Sequence, residues 1–78
     1  MNPKLLRVVV IFEPGKYAKP IWFDLNGDKN TVLKECYFWL SQEGKTQISH
    51  YSLKTDKGLY KLQFNSIDQG WRLQIPQE

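Results

Sequence analysis

The sequence predicts a single, mainly β domain: five to six antiparallel strands in a meander bent towards a small barrel. Three observations carry that expectation. Apolar and polar residues alternate along several short runs, the runs recur roughly every ten residues, and turn formers such as Asn26-Gly27 separate them. The 78 residues suffice for one domain, 1–78, and leave no room for a second. A chain this short buries only about 60% of the surface exposed by its unfolded form, so the core is thin. Three Trp, four Tyr and four Phe are a way to gather buried area in so little chain.

Residues 5–12 are rich in β-branched side chains and lie between Pro3 and Pro14, which marks a strand. Their continuous apolarity predicts burial on both faces or a central position. Glu13-Pro14-Gly15-Lys16 fits a type II turn, with proline presetting φ and glycine accepting a positive φ. In residues 20–25, Ile21, Phe23 and Leu25 share one face and Trp22 and Asp24 the other. Pro20 suits the first strand position, where no ladder donor is lost. Asn26-Gly27 is the strongest hairpin signal in the chain.

Residues 31–40 admit two readings. As a helix, Val32, Leu33, Cys36, Tyr37 and Leu40 form an apolar stripe, Asn30 or Thr31 caps it, and Gly44 stops it late. As a strand, Val32, Cys36, Phe38 and Leu40 share a face with Lys34, while Leu33, Tyr37 and Trp39 share the other with Glu35. Periodicity does not decide. The strand formers Cys36 to Trp39 favour a strand with a bend or single turn inside. The alternative fold is α+β, ββαβββ, with one helix at about 31–41 packed on the sheet.

The second half is plainer. Residues 46–53 place Tyr51 and Leu53 on one face, Ile48 and His50 on the other. Thr55-Asp56-Lys57-Gly58 is a tight turn. Tyr60, Leu62 and Phe64 then point inward, Lys61 and Gln63 outward. A polar connection over 65–70 leads to alternation from Trp71 to Ile75, which Pro76 ends. Phe23, Tyr51, Tyr60, Phe64 and Trp71 are assigned to the core, and Cys36 reads as a small buried hydrophobe.

Composition limits the chemistry. One cysteine precludes an internal disulfide and a multi-cysteine zinc site, and His50 is the only imidazole. No metal or cofactor is expected, and a reducing, cytoplasmic compartment fits best. The apolar run behind Lys4 is interrupted by Arg7, lacks a small-residue cleavage site, and is under half the length of about 20 residues that a membrane helix needs. The chain is expected to be soluble and unprocessed, with no membrane partner.

Of the serines beside His50, only Ser52 shares its strand face, and no carboxylate at a recognisable spacing orients the pair. Asp24, Asp28, Asp56 and Asp68 fall in or beside turns, where a short acid bonds backbone N–H groups. The expectation is a non-enzymatic module. The net charge of +3 and the outward cations Arg7, Lys54, Lys57, Lys61 and Arg72, with Trp22 as a stacking ring, suggest nucleic-acid contact through a weakly basic β surface. The alternative is a protein-interaction or homodimerisation module using Trp22 and an exposed strand edge. Lysines on a solvated sheet also serve simply to blunt edge pairing.

The segment Lys19-Pro20-Ile21-Trp22-Phe23-Asp24-Leu25-Asn26-Gly27, then Thr31-Val32 to Trp39, Gly58-Leu59-Tyr60-Lys61-Leu62 and Trp71-Arg72-Leu73 occur in a distinctive order. That order resembles a family of small bacterial domains of unknown function, often encoded near genes for error-prone, Y-family DNA polymerases. The resemblance spans about residues 19–75 and implies no catalytic residues. This chain departs from the family's pattern in carrying fewer arginines, more lysines and a longer apolar first strand.

Overall fold

A computed structural model describes residues 5–74, which form six strands and no helix. They are β1 (Leu5–Ile11), β2 (Lys19–Leu25), β3 (Asp28–Glu43), β4 (Thr46–Thr55), β5 (Gly58–Asn65) and β6 (Trp71–Leu73). Every neighbouring pair is antiparallel, and β1 pairs with β6 to close the barrel. Among the described residues no helix is long and apolar enough to cross a membrane.

The turns follow the local chemistry. Leu25 faces Asp28 across the Asn26-Gly27 loop, whose φ values of 54° and 86° are those of a type I′ turn that matches strand twist. At the β1–β2 connection, Gly15 has φ 76° and the Lys16 N–H donates to the Glu13 carbonyl over 3.1 Å.

The alternation in β2, β4 and β5 puts Phe23, Tyr51, Leu53 and Leu62 in the barrel, each almost wholly buried, with Ala18 and Trp71 beside them. Tyr60 and Phe64 are half-buried against this cluster. Tyr51 is its centre. Its ring lies 4.9 Å from that of Phe38 and 5.2 Å from that of Trp71, and its phenol donates to the Ala18 carbonyl over 2.6 Å. Burial pushes the phenol pKa up to about 12, with the Glu35 charge and then Tyr17 adding to the effect.

Residues 31–41 are strand, as the strand formers Cys36 to Trp39 favour, and the helical alternative falls: a strand turns Phe38 onto Tyr51 where a helix would leave it outside. Two expectations need correction. The apolar first run is not buried on both faces: Leu6, Val8 and Val10 pack inward, whereas Val9 and Ile11 are 38% and 46% exposed. A barrel offers each strand only one inner face. Cys36 is exposed rather than buried.

The cause of that last difference is a pair of bulges in β3. The register to β4 slips at Leu33 and again at Cys36, each an extra residue without a partner. The first slip turns Lys34 outward and Glu35 towards the inner face, opposite Lys54 and Leu53; the second restores the phase. Strict alternation therefore places Phe38, Tyr37 and Trp39 correctly and exchanges Lys34 with Glu35. A further bulge at Ile21 in β2 lets Pro20 as well as Phe23 face the interior, and both are buried.

Candidate nucleic-acid interface

β3 is long because it serves two sheets. Its first residues pair with β2 as far as Thr31, and Val32–Glu43 pairs with β4 instead. Asp56, in the β4–β5 turn, fastens the crossing point: its carboxylate accepts from the Thr31 N–H over 3.0 Å and its own N–H donates to the Thr31 carbonyl over 3.1 Å. Beyond that latch the outer side chains of β3–β6 form ordered cross-strand rows.

One row runs Lys34, Lys54, Leu59; the next Tyr37, Ser52, Lys61; the third Trp39, His50, Gln63, Arg72. Tyr37 is 67% exposed and its ring centroid lies 5.6 Å from that of Trp39. Trp39 in turn stacks on the His50 imidazole at 4.5 Å with the planes 2° apart. The result is a terrace of rings bordered by Lys34, Lys54 and Lys61. Arg72 closes its far end but is already engaged: its guanidinium bonds the Asp68 carboxylate at 2.6 Å and holds that acid below its ordinary pKa.

The sequence-derived candidates divide. Lys54, Lys61 and Arg72 belong to this face. Arg7 is exposed on β1, opposite Asp24 on β2. Trp22 is half-buried on β2, with the Lys29 ammonium 4.8 Å over its ring, so one of its faces is taken. Lys57 is exposed in the β4–β5 turn. Sequence reasoning missed Lys34, Tyr37, Trp39 and His50 as a group. The signal available was the shared face of Tyr37 and Trp39 on the strand reading; the bulge concealed Lys34.

The serine that meets His50 is Ser41, across the ladder and not adjacent in sequence, with Oγ 2.8 Å from Nε2. Among the described residues nothing hydrogen-bonds the buried Nδ1, so no carboxylate orients the ring as a general base would require. Stacking on Trp39 holds it instead. On the opposite flank of β3 the β1–β2 loop stands off the strand, leaving a cleft of about 680 Å³. Tyr17, Ile21, Leu33 and Phe38 line it, with Lys19, Lys34 and Glu35 among its charged groups.

No family profile, curated protein or solved structure matches the chain.

Proposed function

We propose that this domain is a non-enzymatic module that binds single-stranded nucleic acid on the outer face of β3–β6. The observation that carries the reading is Lys34 directly opposite Lys54, beside the exposed Tyr37 and Trp39. Like charges opposed across a ladder cost stability, and an anionic strand recovers that cost while its bases stack on the rings. Stacking is tolerant of sequence, so the expected preference is for flexible single strands over duplex. The resemblance to domains encoded beside error-prone polymerases points the same way by association. An exposed Cys36 thiol suits a reducing, cytoplasmic setting.

The test is a titration with a labelled oligothymidine at low salt, followed by NMR and fluorescence anisotropy. Shifts should concentrate at Tyr37, Trp39, Lys54 and Lys61, and affinity should fall linearly on a log–log plot as salt rises. An unchanged spectrum at saturating oligonucleotide overturns the reading.

A further inference from the structure

We infer that two copies of this chain join through β3, antiparallel, about a two-fold axis at Trp39. Once β3 leaves β2 at Thr31, no strand among the described residues pairs with its second edge from Val32 to Glu43. Such an edge presents unpaired N–H and C=O groups to any strand that approaches, and proteins usually blunt it with bulges, lysine or proline. Here those devices sit only in its first part: the bulges at Leu33 and Cys36, and Lys34. From Tyr37 to Glu43 the strand is regular and carries no lysine, proline or bulge. That same stretch exposes Tyr37, Trp39 and Leu40.

Symmetry restricts the partner register. A two-fold axis relating antiparallel strands in one sheet stands perpendicular to it, so each side chain meets one of its own face. With the axis at Trp39, the outer face pairs Trp39 with its own copy and Tyr37 with Ser41 of the second copy. The inner face pairs Phe38 with Leu40. Passing over the Cys36 bulge, the next outer pair is Lys34 against Glu43, formed twice by symmetry. An axis at Leu40 sets Glu43 against Tyr37 and leaves Lys34 without a partner; an axis at Phe38 sets Leu40 against the Glu35 carboxylate. Of these three registers only that at Trp39 sets Trp39 on its own copy, Phe38 on Leu40 and opposite charges at both ends. It also keeps both outer faces on one side of the extended sheet.

Sedimentation velocity over rising protein concentration tests this, using the full chain and the variants Lys34→Glu, Glu43→Lys and the double exchange. Both residues are exposed, so circular dichroism should show all variants folded. The parent should associate to a dimer, each single variant should weaken it about three- to tenfold at low salt, and the double exchange should restore it. Hydrogen exchange at amides of residues 37–43 should slow as dimer forms. A parent that stays monomeric at about 1 mM overturns the inference. So does a dimer indifferent to the charge variants, or one that leaves exchange over 37–43 unchanged.

Discussion

Lys34 and Lys54 stand directly opposite each other on the outer face of the β3–β4 ladder. Neither has an ion-pair partner among the described residues, where the salt bridges are Lys16–Glu13 and Arg72–Asp68. Opposed like charges destabilise a strand pair by a few tenths of a kcal/mol, roughly 0.2–1. Lys54→Gln is therefore expected to raise the unfolding free energy slightly while lowering oligonucleotide affinity several-fold at low salt. Chemical denaturation and anisotropy on the same protein check both signs. A variant that loses stability and binds as before contradicts the functional reading of the pair.

Trp39→Ala separates stacking from charge. Base–aromatic stacking contributes about 1–3 kcal/mol per base, so affinity should fall by roughly five- to a hundredfold with the slope of the salt dependence unchanged. Trp22→Ala should leave affinity within about twofold, because that ring is half-buried on β2, outside the β3–β6 rows. Equal losses at the two positions would contradict the assignment of the terrace to Trp39.

That contrast marks what the sequence made legible. Alternation placed Phe23, Tyr51, Leu62 and Trp71 inside, and Asn26-Gly27 fixed the β2–β3 hairpin, because both signals are local. The phase of β3 was not local. It depends on bulges where the strand passes from β2 to β4, and nothing in Leu33 or Cys36 as residue types announces them. So Lys34 was assigned to the wrong face. Trp22 looked the better exposed ring because its neighbours alternate cleanly. Its cover by Lys29 arises from the hairpin register that sets Lys29 opposite Asp24, two residues from Trp22 on the same face.

Arg72 offers a gain-of-function test. Its guanidinium is bonded to Asp68, which also accepts from the Gly70 N–H over 2.8 Å and so shapes the loop before β6. Asp68→Asn keeps an oxygen for Gly70 and removes the charge that holds Arg72. With Arg72 released beside Gln63 and His50, oligonucleotide affinity should rise a few-fold and the salt slope steepen by about one phosphate contact. Salt titrations of parent and variant compare directly. An unaltered slope would exclude Arg72 from the interface.

Tyr51 ties the fold to pH. Its phenol pKa is about 12 in the barrel against an ordinary value of 10.0. Below pH 10 both folded and unfolded forms keep the proton, and the bond to Ala18 contributes fully. As pH rises from 10 to 12 the unfolded chain ionises first and binds fewer protons, so stability falls through that window by at most about 1.4 kcal/mol per pH unit. Tyr51→Phe removes the bond and leaves the Ala18 carbonyl without its donor, a loss of about 1–2 kcal/mol at neutral pH. The variant also lacks the titrating group, so the stability gap between parent and variant should be constant up to pH 10 and close by pH 12. The other tyrosines cancel in that difference. Urea unfolding of both proteins at intervals of pH measures it. A gap that stays constant through pH 12 would mean that burial against Phe38 and Trp71 does not hold the phenol protonated.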